Sequence, residues 1–593
     1  MKKLLFTLCM LAACTTMHAA KASSNIVKVL QPDGTYLNVR TLGDEHCHWS
    51  TTTDGILLYQ QGRHYFVANV AEDGSISNSG IIAHEAAQRQ ESEIAAAKAQ
   101  NRETFYAEAK KSMETGRKLL AETLADGSPA YFPRTGTPKI LVVLVNFADT
   151  TFCMPDPVAS FNDYFNYMGE GRLPARGNKE ERNRMSVANY FKKCSNGQFV
   201  PQFIVKGPVN LSQPQAYYGA DSGNNTDVNI NKLFKEAIDS IAPQVDFTEY
   251  DNDNNGYVDA VMFVHAGYEQ SISGNSSDCI WAKASGASLG VYNGKTIYRY
   301  CIIGERRATP ETFANQMNGI GICCHEFSHC LGLPDIYPTV TKAQINNQAM
   351  EDWDLMDGGE YLVSGFFPTP YTPWEKELMG WKSMEEISEP QLVTLAPDSA
   401  VKVMADDGKQ YVILHNMQFE DSVAYDRYNH GLLIHRIDLR KYKTISMATH
   451  PNNTAGVPGV SIVPADSLLI TIYKVSNNDP AEEGYYTSNE YMASYKGDVY
   501  PGTGNVTRVD SITLNDSVIV SKPLFNIREE AGDAELPNIV FAFIDETVDA
   551  IKEIDSKKIA SDDIYSINGY RLNSDATLQK GIYIKGGKKY IVK

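Results

Sequence analysis

The chain has 593 residues, 43% of them hydrophobic and 21% charged, a balance too apolar for a disordered chain and a length too great for one core. About three or four folded units are expected. Its 72 acidic against 54 basic side chains leave a formal charge of −18, which repels phosphate backbones and anionic lipid surfaces and rules against nucleic acid as a partner.

Residues 1–22 read as an export signal: Lys2 and Lys3 precede an apolar run over residues 4–13, followed by small residues. The run is too short to anchor the chain across a bilayer, so no transmembrane segment is expected. Two processing routes compete. Leu11-Ala12-Ala13-Cys14 resembles a lipobox, which would attach lipid to Cys14, whereas the small residues downstream suit ordinary cleavage near Ala20. Either route predicts a secreted or cell-surface protein. Eight cysteines lie beyond the signal, none with CxxC spacing; they read as small buried residues with one or two bridges permitted.

Residues 23–134 read as a propeptide. Short apolar stretches alternate with the turn pairs Asp33-Gly34, Asp54-Gly55 and Asp73-Gly74, predicting β-hairpins. A charged, alanine-rich stretch over residues 84–125, nearly free of glycine and proline, predicts one or two helices. Arg134, in the turn-like Pro133-Arg134-Thr135-Gly136, is the expected activation cut of a zymogen. Residues 135–392 read as a catalytic domain that opens on the buried strand at residues 139–147. Amphipathic helices are expected over residues 182–193 and 229–241, and a second buried strand over residues 260–265. Residues 393–550 read as a β-rich subdomain with strands at 411–415, 431–435 and 467–473. The basic end, residues 560–593, shows alternating strand patterns joined by Gly569, Gly581 and Gly586-Gly587.

The chemistry concentrates in Cys323-Cys324-His325-Glu326-Phe327-Ser328-His329-Cys330-Leu331-Gly332-Leu333-Pro334-Asp335. On a helix, residues four apart share one face, so His325 and His329 can present two imidazoles to one ion. Zinc suits such a pair, and in catalytic sites keeps a position open for water. Glu326, beside the first ligand, is then the general base. Gly332 suits a helix end that turns the chain, and Pro334 cannot continue the helix, so Asp335 can return as third zinc ligand. Glu351, Asp352, Asp354 and Asp357 are acidic alternatives.

The pattern H-E-x-x-H-x-x-G-x-x-D resembles the signature of the immune inhibitor A family of secreted bacterial metallopeptidases. Trp353 to Gly359 resembles that family's methionine turn, with Met356 as the floor beneath the ligands, and Trp374 to Trp381 resembles the segment that follows it. The resemblance covers about residues 138–545. It implies an α+β, zincin-like catalytic domain that hydrolyses peptide bonds in proteins, with Zn2+ as cofactor. The terminal residues 564–593 resemble the C-terminal sorting domain of Bacteroidetes proteins exported by the Por-type machinery; a terminal hairpin of the preceding domain is the alternative.

Asp251-Asn252-Asp253-Asn254-Asn255-Gly256-Tyr257-Val258-Asp259 copies the first nine positions of an EF-hand loop, but Met262 stands where the bidentate glutamate would be. Asp251, Asp253, Asn255, Tyr257 and Asp259 therefore form a candidate structural Ca2+ site, or else an Asx-rich turn. The rival reading of the whole chain is a zincin-fold surface adhesin without activity, against which the presence of Glu326 argues.

Overall fold

A computed structural model describes residues 16–18, 21–23, 26–44, 47–109, 111, 130–173, 183–221, 226–272, 278–307, 317–475, 486–532, 535–549, 564–567, 571–572, 578–585 and 588–592. Cys14 and most of the expected signal lie outside them, as does most of the stretch beyond residue 109 that the sequence predicts to be helical.

The centre of the molecule is a seven-stranded mixed sheet. Strands Lys295–Arg306, Val261–Tyr268, Lys139–Asn146 and Gln202–Asn210 lie side by side in parallel. Lys283–Tyr292 adds antiparallel to Lys295–Arg306, and Thr16–His18 adds antiparallel to Lys283–Tyr292. The uninterrupted apolar run of Lys139–Asn146 follows from burial of both its faces. Leu141, Val143 and Val145 point with Val261 and Phe263 into a core closed by helix Ile230–Ile241. Ile140, Val142 and Leu144 point with Met262 and Val264 to the other side, against helices Pro157–Asn166, Val187–Cys194 and Ile320–Cys330. Asp156 and Ser186 cap two of these helices by accepting the Ala159 and Asn189 amides.

N-terminal to this domain, six antiparallel strands between Val27 and Ile82 form a meander, followed by helix Glu91–Ala99 and a second helical stretch at residues 102–109. Glu93 and Asp33 hold His84 from either side, each at 2.8 Å, and fasten helix to sheet. Arg134 is integrated into the domain of the central sheet: its guanidinium donates to the Leu331 carbonyl (2.8 Å), and its own carbonyl accepts from the Trp381 indole (2.6 Å). Phe132 is buried, and its amide donates to the Cys330 carbonyl. The structured domain thus starts upstream of the expected cut, and a protease would have to unpack Arg134 to reach it.

Beyond Trp381 lie a five-stranded sheet, built around Tyr411–Met417 and Gly431–Ile437, and a three-stranded sheet of Gln391–Leu395, Asn538–Phe543 and Leu524–Glu530. Two helices, Ser422–Tyr428 and Ser488–Asp498, interrupt this β-rich region. The strand expected over residues 467–473 does not form: Leu468 and Leu469 are exposed, Ile470 and Ile472 turn into the core, and Ile472–Lys474 is a 3-10 turn capped by Thr471. The described part of the C-terminal tail is a four-stranded antiparallel sheet. All eight cysteines beyond the signal are free thiols, and seven of them are buried. Among the described residues, no helix is long and apolar enough to cross a membrane.

Candidate metal centre

The helix Ile320–Cys330 is buried along its entire length, so its apolar sequence runs all round rather than along one stripe. Its first turn needs partners for amides that no helical carbonyl can reach; Asn183 supplies one by accepting the Ile320 amide at 2.8 Å. Its C-terminus closes in a Schellman motif. The Leu333 amide returns to the Ser328 carbonyl, the Gly332 amide to that of His329, and Gly332 takes φ +99°. This glycine is what turns Asp335 back over the helix.

The outcome is a triangle of donor atoms. His325 Nε2 and His329 Nε2 are 3.2 Å apart, and Asp335 Oδ1 lies 3.4 Å and 3.3 Å from them. A tetrahedral ion with bonds of about 2.0–2.1 Å has corners roughly 3.3 Å apart, so the three atoms have the spacing of three corners of one coordination tetrahedron. The outer ring nitrogens fix the tautomers. His325 Nδ1 donates to the Leu355 carbonyl at 3.0 Å, and His329 Nδ1 to the Leu333 carbonyl at 2.8 Å. Each Nε2 therefore carries a lone pair, and two lone pairs converging with a carboxylate oxygen repel one another unless a cation lies between them. The donor set fits zinc.

Met356 is fully buried in the turn after Trp353, and its neighbour Leu355 is the residue that orients His325. Asp354 shapes this turn by accepting the Met356 amide at 2.7 Å, while the Met356 carbonyl accepts the Ile336 amide just past Asp335. The other acidic candidates have different partners: Glu351 accepts from Tyr491, Asp352 from Tyr428, and Asp357 from Lys21.

Sequence reasoning missed Glu360. Its carboxylate is buried 3.7 Å from His325 Nδ1, and burial pushes its pKa up to about 8 against the pull of His325. Burial works against the charge of His325, but Glu360 and Asp335 together outweigh it and its pKa is raised. Tyr361 follows, a half-buried tyrosine within the fields of Glu360 and Glu326. The sequence signal for both was the pair Gly319 and Gly321, whose lack of a side chain lets the backbone of Glu360 and Gly365 pack directly on helix Ile320–Cys330. His265 and His435 are buried in separate strands, and burial lowers the pKa of both.

The second cluster also assembles. Asp251, Asp253 and Asp259 offer carboxylate oxygens within 4.8 Å of one another. Asn255 spends its side-chain carbonyl on the Tyr257 amide at 2.9 Å. Lys295 reaches Asp251 at 2.5 Å from the neighbouring strand, a cation already in place.

Comparison with known proteins bears on the same part of the chain. A stretch of 256 residues is 27% identical to the pre-pro-metalloprotease PrtV of Vibrio cholerae, covering 36% of this chain and 27% of that protein. Another of 294 residues is 25% identical to immune inhibitor A of Bacillus thuringiensis, covering 43% of this chain and 42% of that protein. The chain thus matches less than half the length of these relatives. Residues 130–383, which hold the whole donor triangle and the turn around Met356, match the family described as immune inhibitor A peptidase M6, catalytic domain.

Proposed function

We propose that the protein is a secreted, zinc-dependent endopeptidase, with His325, His329 and Asp335 as ligands and Glu326 as general base. The observation that carries this reading is the donor triangle, with edges of 3.2, 3.4 and 3.3 Å and both histidine tautomers set by carbonyls. The match to a peptidase catalytic domain over the same residues supports it.

Zinc held there supplies Lewis acidity toward a scissile carbonyl and brings the pKa of water toward neutrality. The remaining work falls to the chain. Glu326, one residue from His325 on a buried helix, accepts the proton of the attacking water on its carboxylate and returns it to the departing amine nitrogen. Glu360, behind His325, offsets the positive charge that the imidazole takes on as a ligand. The buried setting excludes bulk water from both carboxylates and strengthens these interactions.

Residues 23–134 are assigned as a propeptide; a cut at Arg134 requires that residue to unpack from Leu331 and Trp381. Asp251, Asp253 and Asp259 are assigned as a structural calcium site, and the C-terminal four-stranded sheet as a secretion address.

The test is hydrolysis of casein by the purified protein, with and without a chelator, beside Glu326→Ala. Loss of cleavage in both cases, with zinc still bound by the variant, is expected. Cleavage that survives both treatments would sink the assignment.

A further inference from the structure

Lys21 is the least expected buried residue in the molecule. Its side chain is 7% exposed and its ammonium donates to Asp357 Oδ1 at 3.1 Å, an aspartate with no exposure at all. The ammonium also stands over the rings of Tyr473 and Tyr337, at 5.1 and 5.8 Å from their centroids. Glu351 adds a second buried carboxylate to the same pocket; its Oε1 has no hydrogen-bond partner among the described residues. Burial works against the lysine's charge, yet Asp357, Tyr473 and Glu351 outweigh it and its pKa is raised. An isolated buried ammonium is strongly disfavoured by desolvation, so a pocket with two carboxylates and two aromatic faces is built for a cation.

The pocket adjoins the metal centre. Asp357 lies two residues past Leu355, whose carbonyl orients His325. Tyr361, next to Glu360 and within the field of Glu326, donates its hydroxyl to the Lys21 carbonyl at 2.6 Å. The backbone around Lys21 behaves as an added peptide. Thr16–His18 pairs antiparallel with the edge strand Lys283–Tyr292, which packs against the active-site helix. Ala22 covers Trp281, and the Ser23 amide donates to the Ser271 carbonyl at 2.9 Å. An extended segment that joins a sheet edge by its backbone gains affinity from the main chain and selectivity from the pockets that take its side chains.

We propose that the pocket formed by Asp357, Glu351, Tyr337 and Tyr473 is a specificity subsite for lysine, that the N-terminal segment fills it in the uncleaved precursor as a stand-in for substrate, and that the processed enzyme cleaves proteins beside lysine. This rests on the peptidase reading above and adds its substrate class. Asp357 is fixed for the task, because its second oxygen accepts the Met350 and Glu351 amides at 3.1 and 2.7 Å. The carboxylate therefore cannot swing away when the pocket is empty.

The test uses the secreted, processed zinc enzyme, from which signal and propeptide have been removed so that the acidic pocket is open, and a library of quenched peptides differing only in lysine or methionine at each position. Lysine at one position flanking the cut should raise kcat/KM at least tenfold over methionine, and adding Asp357→Asn should shrink that ratio. A second readout needs no pocket variant: a synthetic peptide of residues 16–23 should inhibit the processed enzyme at least tenfold better than its Lys21→Met counterpart. Chelator-sensitive cleavage with no lysine preference, or equal inhibition by the two peptides, overturns the subsite and leaves the peptidase assignment standing. Absence of any chelator-sensitive cleavage overturns both.

Discussion

Replacing Gly321 by alanine probes how the metal centre is held together. A Cβ at this position would lie 1.8 Å from the Glu360 carbonyl oxygen and 2.8 Å from its carbon. Both are backbone atoms, so no rotamer change relieves the clash. Either the active-site helix or the segment Gly359–Gly365 must recede by roughly 1.5 Å to restore ordinary contact. Overpacking of this kind costs about 1–3 kcal/mol, and backbone on both sides puts Gly321→Ala near the upper end. A loss of about 3 kcal/mol lowers Tm by roughly 6–12 °C for a domain of this size. The same recession moves Glu360 away from His325, so zinc affinity should fall by about 10–100-fold, the usual effect of removing a partner that supports a ligand. Differential scanning calorimetry and zinc competition against a fluorescent chelator read the two effects separately. A variant with parental Tm and parental zinc affinity would refute the close packing of helix against segment, and with it the role given to Glu360.

Asp335→Ala should lose zinc to an extent beyond that roughly 10–100-fold range, measured by metal content after dialysis; retention of one equivalent would transfer the third position to another carboxylate. Calcium added to chelated protein should raise Tm, and Asp259→Asn should abolish the rise; an unchanged Tm would mean that Lys295 alone neutralises the Asp251 cluster. His84 gives a pH signature. Burial opposes its charge, but Asp33 and Glu93 prevail and its pKa in the fold is raised above the ordinary value. Its contribution is therefore complete below about pH 6.5 and is lost as pH rises through the higher folded value. Hydrogen exchange of helix Glu91–Ala99, corrected for intrinsic rate, should speed up across that interval in the parent and show no such step in His84→Gln. An unchanged pH response in the variant would remove His84 as the fastener.

Several features of this protein were settled by local chemistry and could be read along the chain. The i, i+4 spacing of His325 and His329 places two imidazoles on one helical face whatever surrounds the helix. Gly332 ends that helix because only glycine takes its positive φ without strain. The apolar run at Lys139–Asn146 is a central strand because a run buried on both faces has no polar side to offer. Contacts between segments remote in sequence were decided only in three dimensions. Glu360 reaches His325 from 35 positions away in the chain, across a helix contact that depends on Gly321 having no side chain. Arg134 reads as an exposed turn residue, yet its hydrogen bonds to Leu331 and Trp381 make it part of the domain. The run at residues 467–473 has the apolar content of a strand, yet it buries Ile470 and Ile472, leaves Leu468 and Leu469 exposed and closes in a 3-10 turn. Lys21, in a segment that reads as the end of an export signal, meets Asp357 across 336 positions. No local pattern encodes such a meeting, because burial of a charge is decided by where the opposite charge is folded to.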